Sequence, residues 1–212
     1  AFTNAGNTFT GRWIARDSNS VLRFASDSAA GAIPANFRSD AIILDGGRLQ
    51  FGVISTSLSF SLHANRGISL PNAGTTGFLH AWGGYTMTIA GGISGPGNLE
   101  KSDTGTVELT GNNTLTGSVR VSSGTLTLNS GGSFTQANNL QLAATMNIGA
   151  GSSVLVRNQL ITSDASGGTT VLNQTGGDLS VIGTTITDER TNAVTFAHWG
   201  SATTYNHSAG TF

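Results

Sequence analysis

The sequence predicts an all-β fold: a right-handed parallel β-helix (β-solenoid) with few or no helices. Three observations predict it. Short segments alternate apolar and polar residues, the period of a half-buried strand. Gly, Ser, Thr and Asn separate these segments at short intervals, and 30 glycines supply turns along the whole chain. Similar segments also recur at a fixed step. "GTVEL" at 105–109 and "GTLTL" at 124–128 start 19 residues apart (105 to 124), a spacing that suits one rung of a coil stacked on the next.

The elements follow in order. The opening "NTFTG" at 7–11 and "VLRF" at 21–24 carry strand-like residues. "SDSAAGAIPANFRSD" at 26–40 is the least strand-like stretch and suits a loop or a single helical turn. "GGRLQFGV" at 46–53 puts Leu49, Phe51 and Val53 on one side, and "YTMTIAG" at 85–91 does the same for Tyr85, Met87 and Ile89. In the centre Val107 and Leu109 flank Glu108, and Leu126 and Leu128 flank Thr127. "GSVRV" at 117–121 lies between these two and repeats their alternation, with Val119 and Val121 about Arg120. "SVLVRNQL" at 153–160 and "TVLNQTGGDLSVIG" at 170–183 continue the pattern. The block Leu172–Leu179 recurs as Tyr205–Phe212, displaced by 33 (172 to 205), and "NTFTG" returns as "NTLTG" at 113–117. No segment carries a 3.6-residue apolar stripe. Asp45-Gly46 is one of few two-residue hairpin signals, and their scarcity favours a solenoid over a sandwich or barrel.

Composition agrees and excludes several functions. The 212 residues suffice for a sizeable core. Only 10% are charged, with a net charge of −1. That suits stacked rungs, where like charges at equivalent positions would lie about 4.8 Å apart. It also gives no basic surface for nucleic acid or anionic lipid. With 0 cysteines there are no disulfides, thiolate metal sites or cysteine nucleophiles. No apolar run is long enough to cross a membrane, and the first residues do not form a signal peptide.

The stretch "ISGPGNLEKSDTGTVELTGNNTLTGSVRVSSGTLTL" closely resembles the autotransporter-associated β-strand repeat. The residues that carry the likeness include Ile93, Ser94, Gly95, Gly97, Leu99, Lys101, Gly105, Thr106, Leu109 and Gly111. Asn113, Thr114, Thr116, Gly117, Val121, Gly124, Thr125, Leu126 and Leu128 extend it. "ILDGGRLQF" and "ANRGISL" look like the lead-in of the same unit, and the last third resembles a second repeat type of the same large surface proteins. The resemblance implies one solenoid over 1–212, with the tail of a repeat to about 40, a central repeat over about 41–131 and a second type over about 132–212. It implies an extracellular or cell-surface bacterial stalk without catalytic residues. The membrane barrel that such proteins carry has no counterpart in this sequence.

Candidate chemistry is sparse. Asp40 and Asp45 stand near Arg38 and Arg48, and Asp188, Glu189 and Arg190 form the densest charged cluster; both are expected to be solvated turns. His63, His80, His198 and His207 lack metal-ligand spacing, and His198 is expected to stack on a neighbouring rung. No nucleophile elbow, P-loop or calcium repeat is present. The expectation is therefore no enzyme, no metal and no cofactor. Trp13, Trp82 and Trp199 form a sugar-stacking set if exposed, and plug the coil if not. The sequons at Asn112, Asn173 and Asn206 are expected to be turn asparagines.

No capping segment is legible at either end. Phe2 and Phe9 at one end, and Tyr205 and Phe212 at the other, are therefore expected to make end-to-end contacts with copies of the chain or with adjoining repeats. The function expected is a structural stalk or the subunit of a surface fibre or matrix. The alternative is a glycan-binding adhesin segment.

Overall fold

The computed structural model describes residues 1–52, 57–162, 169–182, 194–195 and 202–212. Every strand pairing among them is parallel, and the chain winds through three faces per rung. On the first face Trp13–Ala15, Arg38–Leu44, Arg66–Ser69 and Ile93–Ser94 stack in that order. On the second face Val21–Arg23, Arg48–Phe51, Thr76–Ala81, Asn98–Ser102 and Val119–Val121 stack. The third face begins with Ser59–Leu62 and Thr86–Ile89, then Thr106–Leu109, Thr125–Leu128 and Thr145–Ile148.

Longer strands take over in the last rungs and run through a corner. Ser133–Leu142 and Ser153–Thr162 extend Asn112–Asn113 with their first residues and the second face with their last. Thr169–Val181 pairs with Thr145–Ile148 at its start and with Ser153–Val156 at its end. Ala202–Thr211 stacks on it. The result is the solenoid that the alternation predicts.

Pairing register explains the sequence echoes. Thr106–Leu109 pairs with Thr125–Leu128, so the 19-residue recurrence (106 to 125) is one rung. Leu172 pairs with Tyr205, so the displacement of 33 (172 to 205) is also one rung, enlarged by longer corners. "GSVRV", which lies between the two in sequence, belongs to another face. Val119 and Val121 pair with Leu99 and Lys101 on one side and Leu140 and Leu142 on the other, on the second face. A rung contains several strands of the same alternation, so likeness of pattern alone does not place two segments on one face. Asp45-Gly46 also departs from the hairpin reading. It joins Arg38–Leu44 to Arg48–Phe51, strands of different faces, and so turns a corner of the coil.

Inward side chains form columns. Leu62, Ile89, Leu109, Leu128 and Ile148 are each 0% exposed and occupy successive rungs of the third face. Burying each such side chain stabilises the fold by roughly 1.5–3 kcal/mol. Outward positions of that face form a polar column. Thr88 Oγ1 donates to Glu108 Oε2 (3.1 Å), Asn147 Nδ2 to Thr127 Oγ1 (3.1 Å), Asn173 Nδ2 to Asn147 Oδ1 (2.9 Å) and Asn206 Nδ2 to Asn173 Oδ1 (2.7 Å). Asn173 and Asn206 are thus rungs of a strand ladder rather than turn residues.

The stretch at 26–40 contains the expected single turn, a 3-10 helix at Asp27–Ala30. Ser26 caps it by accepting the Ala29 N–H. The turn is tied to the first face by Asp27, whose carboxylate meets Arg66 Nε at 2.9 Å, with Arg66 only 4% exposed. The opening residues lie across the same end, contrary to the expectation of an uncovered coil. Phe2 bridges Phe24 in parallel, Ala32 N–H donates to the Phe9 carbonyl (3.0 Å) and Asn7 Nδ2 to the Ala29 carbonyl (2.9 Å). Ala29 and Ala30 are each 1% exposed beneath them. Among the described residues, no helix is long and apolar enough to cross a membrane.

Candidate functional site

A concavity of about 390 Å³ lies outside the core on the first face. Its floor is small: Ala64, Ala90, Gly92 and Gly111. Its wall is Phe37, which follows the Pro34 turn and leads into Arg38–Leu44. Phe37 is 55% exposed, a large apolar ring left out of the core. It lies over the backbone where the next rung carries glycine: a Cβ at Gly67 would fall 2.9 Å from the ring tip and 2.7 Å from Ser39 Cα.

The rim is neutral and polar. Ser39, Ser94 and Thr114 present hydroxyls, and Asn112 presents its amide. Asn112 Oδ1 accepts from Ser133 Oγ (2.8 Å), which fixes the amide and leaves Nδ2 as the outward donor. Among the described residues, no ionisable side chain lines the groove. Arg38, between Phe37 and Ser39, instead contacts Asp40 Oδ1 (3.1 Å) and the Thr10 carbonyl (2.7 Å).

Asp40 sits between Arg38 and Arg12, whose Nη2 is 2.8 Å from Asp40 Oδ2. Asp45, at the corner after the strand Arg38–Leu44, instead accepts from Asn72 Nδ2 (2.9 Å); Asp40 lies within that strand rather than in the expected turn, so the two aspartates do not share a site. Half-exposed pairs of this kind contribute roughly 0–1 kcal/mol each. His63 accepts the Asn65 N–H at a corner, His80 lies in Thr76–Ala81 and His207 in Ala202–Thr211. Burial, and then Arg48, push the His80 pKa below its usual value. Among the described residues, no three His, Asp or Glu side chains gather where they could hold a metal ion. Asp188, Glu189, Arg190, His198 and Trp199 lie outside the described residues.

Trp13 is half-buried among aromatics: Phe2, Phe9 and Phe24 lie 4.4, 4.9 and 5.1 Å from its ring. Its Nε1–H donates to the Ala30 carbonyl at 2.7 Å. Phe2 and Phe9 therefore fold onto their own first rung, and remain 38% and 41% exposed. Trp82 sits at a later corner, with the Arg23 guanidinium 6.0 Å over its ring. The structure does not bring Trp13 and Trp82 into one platform. At the other end Tyr205 lies 5.5 Å from Phe212 and donates to Gln174 Oε1 (2.7 Å).

The interior carries two polar side chains that reach across rungs. Lys101 stands in the inward column between Leu79 and Val121. Its Nζ, 1% exposed as a residue, donates to the carbonyls of Ser102 (3.1 Å), Asp103 (2.6 Å) and Ser123 (2.8 Å). Burial lowers its pKa to about 8, and Asp103 opposes the shift. Asn113 is 0% exposed and serves three rungs: it accepts from Ile93 N–H (3.0 Å) and donates to the carbonyls of Gly111 (3.0 Å) and Ser133 (2.8 Å).

Residues 99–128, which hold both of these side chains, match the passenger-associated-transport-repeat. The chain carries an autotransporter passenger repeat. Within the matched residues, Leu99, Leu109 and Leu128 are inward side chains, and the two polar clamps lie among them. The BmaC autotransporter adhesin of Brucella suis biovar 1 (strain 1330) is 33% identical to the chain over 144 residues. The aligned stretch is 68% of this chain, which spans 3% of the adhesin's length. No solved structure matches the chain significantly. The groove draws Asn112 and Thr114 from the passenger repeat and Phe37 from outside it. Sequence reasoning missed Phe37. Its only signal was an aromatic in a stretch without alternation, and so without an inward slot.

Proposed function

We propose that the chain is a non-catalytic stalk element of a bacterial surface or secreted adhesin, a solenoid whose rungs continue end to end. The observation that carries this reading is the all-parallel stacking of strands through the described rungs around a passenger repeat, with side-chain bonds between rungs both inside, at Asn113, and outside, at Asn147 and Asn173. Such a stack transmits length, because every rung contacts only its neighbours. The strand Ala202–Thr211 pairs on one side with Thr169–Val181, and its other side is the natural place for an adjoining repeat or a second copy. Phe212, 57% exposed, and Tyr205 lie there. The opposite end, crossed by the opening residues, is the less favourable contact surface. Extracellular or cell-surface location follows from the passenger likeness, and the even spread of its few charges suits neither nucleic acid nor membrane insertion.

Electron microscopy of the purified chain tests the reading. Slender rods, single or joined end to end, are expected, and introducing like charges on the uncharged strand Ala202–Thr211, as in Thr204→Lys with Asn206→Lys, should abolish any joining. Compact particles associated side by side would overturn it. Loss of a measurable hydrolytic activity on Asp40→Asn or Asp45→Asn would overturn the non-catalytic part.

A further inference from the structure

The groove walled by Phe37 has the parts of a ligand site, and its chemistry narrows the ligand. An exposed aromatic ring offers a flat apolar face. The floor of Ala64, Ala90, Gly92 and Gly111 is shallow enough for a flat ring to reach the backbone. Around it stand the hydroxyls of Ser39, Ser94 and Thr114 and the amide of Asn112, which make no hydrogen bond into the groove among the described residues. The described lining holds no charge, and the nearby Arg38 and Asp40 are paired with each other. A charged ligand would find no counter-ion and would lose its hydration. A purely apolar ligand would leave the rim groups unpaired. A ligand with one apolar face and neutral hydroxyls at its edge satisfies both.

We infer that this groove binds a neutral saccharide ring, stacked on Phe37 and hydrogen-bonded by Ser39, Ser94, Asn112 and Thr114. The site is distinct from the tryptophans and independent of the stalk reading, since a stalk that binds no sugar remains a stalk. The volume, about 390 Å³, accommodates one or two sugar rings.

Saturation-transfer NMR on the full chain, with cellobiose, chitobiose and lactose as probes at millimolar concentration and sialyllactose as a charged control, tests the inference. Transfer to at least one disaccharide is expected. Phe37→Ala should weaken binding roughly tenfold, the loss of one stacked ring, while Phe37→Tyr retains it. Ser39→Arg, which fills the groove from its rim, should abolish it. Circular dichroism identifies any variant that fails to fold, and the exposed positions of Phe37 and Ser39 make that outcome avoidable by either variant. Silence with all three probes, transfer unchanged by both Phe37→Ala and Ser39→Arg, or binding of sialyllactose alone would each overturn the proposal. None of these outcomes bears on whether the molecule is a rod.

Discussion

Asn113 shows how one side chain can fix a coil. Its amide fills the gap in the ladder between Ile93 and Ser133, on the rungs before and after its own. Asn113→Ala would leave the Ile93 N–H and two carbonyls without this partner in a dry interior. Destabilisation of about 3 kcal/mol is expected in urea unfolding, against less than 1 kcal/mol for Asn112→Ala at the exposed neighbour. Lys101 plays a related part at the next corner. Its folded pKa, about 8, lies below the usual 10.5. Between those values the unfolded chain holds a proton that the folded chain has released, so this group makes stability rise with pH across that window. Below pH 8 both states carry the charge, and the cost of burying it is fully present. Lys101→Met should remove the rise, and at pH 7 it should cost about 2–4 kcal/mol because three carbonyls lose their donor. Melts of both proteins at pH 7 and pH 10 check this; parallel pH dependence would refute the assignment. Gly124 permits the clamp. Its φ is +68°, and a Cβ there would lie 2.4 Å from the Gly105 carbonyl oxygen and 2.7 Å from Lys101 Nζ. Gly124→Ala is therefore expected to destabilise by more than about 2 kcal/mol.

At the level of the strand, alternation in the sequence predicted which residues point inward: Leu49 and Phe51, Met87 and Ile89, Val107 and Leu109 are all buried. It did not predict the face. "GTVEL", "GSVRV" and "GTLTL" look alike because each is a buried-face strand, yet the middle one belongs to a different wall of the coil. Corner geometry decides that, and it depends on close approaches between rungs that a single segment does not record. The candidate groove was hidden for the same reason. Phe37 acquires its meaning from Gly67, which lies on the next rung. The N-terminal cover was missed because Phe2 and Phe9 have the residue types of an ordinary strand. The outward column yields a prediction of its own. Thr127, Asn147 and Asn173 separate Glu108 from the last rung by neutral groups. Asn147→Asp with Asn173→Asp would place carboxylates on adjacent rungs, about 4.8 Å apart. A loss of about 1–2 kcal/mol is expected, reduced by high salt and by protonation below pH 4. The Thr pair at the same positions should be near neutral in the same melts.

Across the whole molecule, stability should vary with place, because a solenoid is held by nearest-neighbour contacts alone. The rungs from Leu99 to Ile148 have partners on both sides, uniform steps of 19 or 20 residues on the third face (109 to 128, 128 to 148) and an uninterrupted apolar interior there. The N-terminal rungs are longer but are covered by the opening residues and the Asp27–Arg66 pair. The last rung has neither advantage. Its inward column changes from Ile148 to Gln174 and His207, and most of Ala202–Thr211 is exposed. Hydrogen exchange read by mass spectrometry should therefore show the slowest amides in Thr106–Leu109 and Thr125–Leu128, and the fastest strand amides in Ala202–Thr211. Leu128→Ala, in the middle of the stack, should cost about 3 kcal/mol and accelerate exchange in the rungs above and below it. The same change at Tyr205 should accelerate its own rung and leave the centre untouched. If both variants raised exchange equally everywhere, the chain would unfold as one unit, and the independent rung that a stalk of variable length requires would be lost as an explanation.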